Sequence, residues 1–331
     1  MSIGILCALV AGLMWGLVFV TPLLLPDYPA ALLSCGRYLA FGLIALPIAW
    51  FDRARLRELE RSDWIEALKL SAIGNLLYYL CLAAAIQRAG GALPTMIIGT
   101  LPVVIAICSN LRDPHERLPW RELLPPLVLI AIGIACVNQV ELERLRAEGS
   151  LDAGRYLGGA LLALAAVACW TWYPIRNADW MRAHPDRHPR SWATAQGLMT
   201  LPLAALGYGA LGLVSLTPAG AAGLGVAMPF GPEPLRFVLM MLAVGLLASW
   251  VGTLCWNAAS QRLPTTLLGQ LIVFETLAAL GYAMLLRGRW PDAATLAGIV
   301  LLVAGVLLAL RVRPRRGPDG TDADAQPVTP A

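Results

Sequence analysis

The amino-acid sequence predicts an all-α polytopic membrane protein with ten transmembrane helices, arranged as two inverted repeats of five helices. Hydrophobic residues make up 58% of the 331 residues and charged residues only 14%, whereas a soluble domain carries about 25% charged residues. The apolar residues fall in runs of about twenty, the length of a helix that crosses a bilayer. Two phrases also occur twice, LCLAAAIQR at 80–88 with LCWNAASQR at 254–262, and GILCALVAGLMW from Gly4 with GALLALAAVACW from Gly159.

Ten apolar runs, separated by charged or Pro/Gly-rich connectors, give the predicted helices. Their bounds are 2–24, 29–51, 65–87, 91–111, 119–139, 156–176, 191–213, 235–260, 264–286 and 291–312. Pro102 lies inside the fourth helix and Pro202 inside the seventh, where neighbouring helices in a membrane satisfy the carbonyls that such prolines free. The first run lacks a basic n-region and an A-x-A site, so we expect a retained helix rather than a signal peptide.

The basic residues predict the orientation, because cytoplasmic connectors carry an excess of Arg and Lys. With a cytoplasmic N-terminus, seventeen of the 25 basic residues fall in cytoplasmic segments, seven fall in external ones, and Arg37 lies inside a helix. Both termini are therefore expected in the cytoplasm. Since each repeat has an odd number of helices, the second enters the membrane from the opposite face, as in many secondary transporters.

The chain divides accordingly into four parts. Residues 2–139 form the first five-helix repeat (the first half), 140–155 an external connector, and 156–312 the second repeat (the second half). Residues 313–331 form a cytoplasmic tail that is polar and rich in Pro and Gly, and we expect it to be disordered. Residues 215–234 are expected to form a non-membranous external loop.

Composition also limits the partners. The net charge is only +4, and no basic stripe with interleaved aromatic residues predicts binding to nucleic acid. The seven cysteines lie in apolar runs without CxxC spacing, so we expect neither a disulfide framework nor a metal site. No GxxxxGK[ST] loop is present, so ATP is not the direct energy source. The expected partners are the lipid bilayer and a small-molecule solute, without a cofactor; the sequence does not decide between a monomer and a homodimer.

Two charged residues lie within the predicted helices. Glu275 is eleven residues from each predicted end of the ninth helix, and an acid at that depth costs about 2.5–3.5 kcal/mol and usually faces a cavity or a partner. We interpret it as a proton-coupling carboxylate or as the site that binds a substrate ammonium. The structural alternative is an ion pair with Arg37. Arg37 by itself is expected to be structural, since it lies near the outer end of its helix and can reach the interface.

Amide and aromatic side chains are further candidates. Asn75, Asn257 and Gln270 either bind substrate or join helices, at about 0.6 kcal/mol each. Trp15 and Trp170 are equivalent in the repeat and lie away from the interfaces where Trp is enriched; Gly12 and Gly16 bracket Trp15 as GxxxG, which we expect to be a helix contact. The aromatic residues form either the wall of a cavity for an apolar solute or ordinary packing, and they are Trp15, Tyr78, Tyr79, Trp170, Trp172, Tyr173, Trp250 and Trp256.

The order and spacing of three stretches resemble the drug/metabolite transporter superfamily, specifically its EamA-type permeases. These stretches are CGRYLAFGLIALP, YYLCLAAAIQRAGGALPTMIIGTLPVV and AGIVLLVAGVLLAL. The resemblance spans roughly residues 2–312 and implies transport of a small metabolite, often export of an amino acid or drug-like molecule, through a central cavity between the halves. It also implies a multi-pass protein of the bacterial inner (plasma) membrane. Many members have Glu at the ends of the fourth and ninth helices; Glu116 matches the first, and Arg289 stands at the second.

The alternative functions are an intramembrane enzyme acting on a lipid or prenyl substrate and a small-solute channel. Such an enzyme needs clustered Asp residues or a Ser/His or His/Glu set within the membrane, but His115, His184 and His188 all lie in connectors. The two histidines of HPDRHP are expected to be solvated rather than to bind metal. Inverted halves with dispersed polar groups favour a carrier over a channel.

Overall fold

The computed structural model of the protein describes residues 2–89, 94, 97–112, 119–147, 153–288, 293–309 and 311–312. Every regular element in this described part of the chain is helical. Within it, seven helices are long and apolar enough to cross a membrane, and two shorter apolar helices, Leu101–Arg112 and Leu296–Ala309, accompany them. The all-α class is thereby confirmed.

The helices follow one another in an order that matches the predicted spans. They are α1 Ser2–Leu24, α2 Ala30–Phe51, α3 Arg53–Leu56, α4 Arg61–Leu70, π1 Ser71–Leu77, α5 Tyr78–Ala89, α6 Leu101–Arg112, α7 Trp120–Ala147, α8 Ala153–Ala183, α9 Pro189–Ser215, α10 Pro218–Leu224, α11 Pro234–Val244, π2 Gly245–Val251, α12 Gly252–Ser260, α13 Thr265–Leu271, α14 Val273–Arg287 and α15 Ala293–Ala309. Each of the ten predicted spans overlaps a described helix, and the arrangement as five plus five stays a prediction.

Two of these spans change to π-helical geometry in the middle. The segment α4–π1–α5 is one continuous helix, and so is α11–π2–α12. The π segments Ser71–Leu77 and Gly245–Val251 have equal length and lie 174 residues apart, the same spacing as the repeated LCxxAAxQR phrase. Such segments are rare and frequently occur at functional sites. The sequence predicted plain α-helices here.

Other predicted bounds need correction. Helix α7 continues to Ala147, well into the predicted connector 140–155, because ELERLRA is built of strong helix formers. A short helix, Pro218–Leu224, with Thr217 as its N-cap, lies inside the predicted external loop. The ninth span, Thr265–Leu286, agrees with its predicted bounds but contains a one-residue turn at Ile272, between α13 and α14. The tail 313–331 lies outside the described residues.

The two halves pack against each other along most of their length. Helix α2 packs along α9, α7 along α15, α1 against α12 and α14, and α8 against α5. Small residues permit the closest contacts: a Cβ on Gly16 would lie 2.7 Å from Ala278 Cβ, and a Cβ on Gly12 would lie 3.1 Å from the Glu275 backbone N. The GxxxG pair is therefore a packing contact between α1 and α14, as expected. This contact fixes the position of Glu275 relative to α1.

Candidate functional site

Glu275 lies near the middle of the ninth span, as its predicted bounds implied, and just after the turn that separates α13 from α14. The break at Ile272 makes Glu275 a first-turn residue of α14, with its backbone N–H donating to the Ile272 carbonyl at 2.9 Å. A carboxylate in this position is favoured by the helix dipole, which offsets part of the cost of burying it. The residue is 8% exposed, and its side chain makes no hydrogen bond or ion pair with any described residue. Its acceptor oxygens are therefore available to a ligand or a proton.

Arg37 is buried nearby but is not the ion-pair partner that the sequence offered as an alternative. Its Nε donates to Ser249 Oγ at 3.0 Å, and its guanidinium lies over the rings of Tyr38 and Tyr79, 4.9 and 5.4 Å from their centroids. No ion pair joins Arg37 to Glu275 in the described part of the chain. The structure thus holds a basic and an acidic side chain in one buried region without a direct ion pair between them.

An aromatic cluster crosses the interface between the halves next to these charges. Trp15 meets Trp170 edge-on at a centroid distance of 5.4 Å and Trp256 at 5.1 Å, and Trp170 stacks on Tyr78 at 4.6 Å and on Tyr173 at 5.0 Å. All five rings are buried. Because Trp15 belongs to the first half and Trp170 to the second, and their rings are in direct contact, the cluster lies where the two halves meet.

The cluster and the charges belong to one region. Gly12, one turn before Trp15 on α1, packs against the backbone of Glu275, Tyr78 stacks on Trp170, and Tyr38 lies under Arg37. Among the described residues, the indole N–H groups of Trp170 and Trp256 have no hydrogen-bond partner. Burying an unpaired donor costs about 1–3 kcal/mol, so these groups are candidates for contact with a solute.

Two of the three candidate amides join helices. Asn75 Nδ2 donates to Thr200 Oγ1 at 3.3 Å, linking π1 to α9. Asn257 Oδ1 accepts from Asn177 Nδ2 at 2.9 Å, and Asn177 Oδ1 in turn accepts from Trp192 Nε1 and Gln196 Nε2. Both amides thus hydrogen-bond to other helices, which agrees with the structural alternative.

Gln270 is different. It is fully buried in α13, and neither its amide nitrogen nor its amide oxygen has a hydrogen-bond partner among the described residues. It directly precedes Leu271, the last residue of α13, and α14 begins at Val273, right after the turn at Ile272. An unsatisfied buried amide of this kind supports a role in ligand contact.

Ion pairs between the halves gather at one end of the molecule, which we call the charged end. In the described residues, every cross-half ion pair lies there. Arg190 forms a two-point pair with Asp52, its Nε donating to Oδ2 at 2.7 Å, and Arg176 pairs with Glu66 at 2.5 and 3.2 Å. Two further pairs, at 3.0 and 2.6 Å, are Arg187 with Glu58 and Arg112 with Asp179.

The sequence analysis missed the charged end as a contact between the halves. Its arginines were used only to predict orientation, and the acids Asp52, Glu58 and Glu66 were not considered as their partners. The signal was present, since Asp52, Glu58 and Glu66 lie in or next to the connector after the second helix, and Arg187 and Arg190 lie in or next to HPDRHP. Glu116 and Arg289, singled out by the resemblance, lie outside the described residues.

Comparison with known proteins gives one family and one close relative. Residues 2–139 match the model of the EamA-like transporter family. The chain is 55% identical over 317 residues to the inner membrane protein YtfF of Escherichia coli (strain K12), covering 95% of this chain and 96% of that protein. A solved crystal structure of another protein superposes with a TM-score of 0.69 at 18% identity, over 93% of this chain and 96% of its own. At that identity the structural match speaks for the fold alone.

Proposed function

The chain belongs to the EamA-like transporter family, and from this premise we propose that it is a secondary transporter that exports a small metabolite or drug-like solute, amino acids among them, by alternating access. The observation that carries the proposal is Glu275, a buried, unpartnered acid at a helix break beside an aromatic cluster. Broken helices and unpaired polar groups near the middle of the membrane are where carriers of this general plan bind substrate and coupling ions.

We further propose that the two halves are an inverted repeat of five helices each. The repeated phrase and the π segments share one spacing of 174 residues. Contacts also come in matching pairs: Gly4 packs on Leu263 and its equivalent Gly159 on Ala89, which is 174 residues before Leu263. A pseudo-two-fold axis between the halves accounts for all of these pairs.

The charged end supports one state of an alternating-access cycle. Four ion pairs there tie the first half to the second, and the Arg and Lys count predicts that this end faces the cytoplasm. We infer that the arrangement is closed to the cytoplasm and that these pairs separate when the site opens inward. The enzyme alternative receives no support from a family made up of transporters, and the helix break favours a carrier over a channel.

Transport itself is tested in inside-out membrane vesicles. Vesicles that contain the protein are expected to accumulate at least one solute from a panel of radiolabelled amino acids and fluorescent drug-like compounds, faster than vesicles without it. Imposing or collapsing a pH gradient then shows whether protons drive the exchange. If no solute accumulates above the control under either condition, solute export is wrong.

Orientation is tested by reporter fusions. A reporter that works only in the cytoplasm is expected to be active when fused at Ala331, and a reporter that works only outside it is expected to be active when inserted at Gly223. Gly223 is chosen because a Cβ there would have no heavy atom within 4 Å. The reason for the expected orientation is the basic residues gathered at the charged end. Two reporters on the same side of the membrane contradict the proposed topology.

A further inference from the structure

His184 lies at the charged end in a contact that joins the two halves. It follows the last turn of α8, and its ring stacks on Trp180 at a centroid distance of 4.5 Å. The Trp180 indole N–H donates to Asp63 Oδ1 at 3.0 Å, and His184 Nε2 lies 3.9 Å from the same oxygen. Asp63 belongs to α4 in the first half, so this histidine and its neighbouring indole both face an acid of the other half.

The hydrogen bond at Nδ1 determines which ring nitrogen carries the proton in neutral His184. Nδ1 lies 2.9 Å from the Trp180 carbonyl oxygen. A carbonyl only accepts, so Nδ1 must be the donor, and in the neutral ring Nε2 then carries a lone pair. That lone pair faces the Asp63 carboxylate, which is unfavourable. A proton on Nε2 converts the same contact into a charge-assisted pair.

Asp63 is held in place to receive that charge. Its Oδ2 accepts from the Glu60 backbone N–H at 2.9 Å in a capping box at the start of α4. The Asp63 side chain is 7% exposed and that of His184 is 35% exposed, so the acid is fixed and buried while protons from solvent reach the histidine. The charged groups around them are engaged in other pairs, namely Asp52 with Arg190, Glu58 with Arg187, Glu66 with Arg176 and Lys69, and Asp179 with Arg112 and Arg182.

We propose that His184 is a proton-operated latch: protonation of Nε2 pairs it with Asp63 and holds the two halves together at the charged end. Because the pair needs the proton on Nε2, acidic conditions favour the latch, and it relaxes as the pH rises. The regulatory role of the latch rests on the proposed function, since a latch at the charged end would make inward opening depend on the pH at that side of the membrane. Its physical basis is independent of any solute.

Hydrogen–deuterium exchange of the full-length protein in nanodiscs tests the latch. Exchange in residues 61–70 and 177–188 is compared between wild type and His184→Gln, once at about pH 6 and once at about pH 8. At the lower pH we expect the wild type to exchange about threefold or more slowly than the variant, with no difference at the higher pH. Comparing the two proteins at one pH removes the intrinsic pH dependence of exchange.

A second variant and a control separate the latch from a loss of folding. Asp63→Asn keeps an acceptor for Trp180 but removes the charge, so its protection is expected not to rise at the lower pH. His188→Gln, four residues further along the connector, is expected to keep the wild-type difference, because burial and the neighbouring Arg55 and Arg190 lower the pKa of His188 and so disfavour its protonated form. The latch is wrong if the wild type and His184→Gln differ equally at both pH values. Hydrogen exchange does not depend on transport, so that result would contradict the latch but not the proposed export. Conversely, if the exchange differences appear but no solute is transported, the proposed export is wrong and the latch is not.

Discussion

Replacing Glu275 with Gln is expected to abolish most solute transport while leaving the protein folded. The carboxylate is buried and has no partner among the described residues, so removing its charge relieves a desolvation cost and breaks no ion pair. If it binds the coupling proton or a cationic group of the solute, its loss removes an interaction of about 2.7 kcal/mol and slows transport about 100-fold. The measurement is the initial rate of uptake into inside-out vesicles, with and without a pH gradient.

Thermal unfolding distinguishes this role from a structural one. A functional Glu275 predicts that Glu275→Gln unfolds at the same temperature as the wild type, or higher, whereas half of a buried ion pair would lower that temperature. Glu122→Gln, which removes an exposed acid at the start of α7, serves as the matched control and should transport normally. Wild-type rates and an unchanged response to the gradient in Glu275→Gln would refute the coupling role.

The order and approximate bounds of the helices could be predicted from the hydrophobic runs, because a helix that spans a bilayer needs about twenty apolar residues and hydrogen-bonded backbone groups. Those constraints do not report where a helix changes its geometry. The π segments and the turn at Ile272 depend on how neighbouring helices pack, as where Gly269 lies against Ile105 and Ala106. The sequence therefore predicted the ninth span and the position of Glu275 within it, but not the turn at Ile272 that makes Glu275 a first-turn residue of α14.

A second repeated pattern would have indicated the break from sequence. LPTMIIGTL at 93–101 and LPTTLLGQL at 263–271 share Leu, Pro, Thr, Gly and Leu in register. The chain turns at 99–100 in the first copy and at Ile272 just after the second. FGLIALP at 41–47 and QGLMTLP at 196–202 are a further pair. These patterns were hidden because Leu, Ala and Gly recur throughout apolar helices, so single matches carry little information.

The sequence singled out residues that the structure brings together, but it did not predict which of them are in contact. Buried charge and aromatic residues are visible in composition, and Trp15, Trp170 and Tyr78 do come together with Glu275 in reach. The partner of Arg37 was not visible, because Ser249 is 212 residues away along the chain and has no distinctive pattern around it. Polar pairing over such distances is decided by tertiary packing, which periodicity does not encode.

Replacing Gly16 with Leu is expected to separate α1 from α14 and to remove transport. A Cβ at Gly16 would lie 2.7 Å from Ala278 Cβ and 2.9 Å from the backbone N of Ala279. Backbone atoms cannot rotate away as a flexible side chain does, so the two helices must move apart. Overpacking of this kind lowers the free energy of unfolding by about 1–3 kcal/mol.

The functional effect of Gly16→Leu should exceed its effect on stability, because α1 carries Trp15 and α14 carries Glu275. Moving the helices apart displaces the aromatic cluster from the acid without altering either side chain. Gly281→Leu, on the same helix α14, is the matched control: a Cβ at Gly281 has no heavy atom within 4 Å, and we expect normal unfolding and normal uptake. Uptake rates and unfolding temperatures of the two variants in the same vesicles decide the matter. Equal behaviour of Gly16→Leu and Gly281→Leu would show that the α1–α14 contact does not set the geometry of the site.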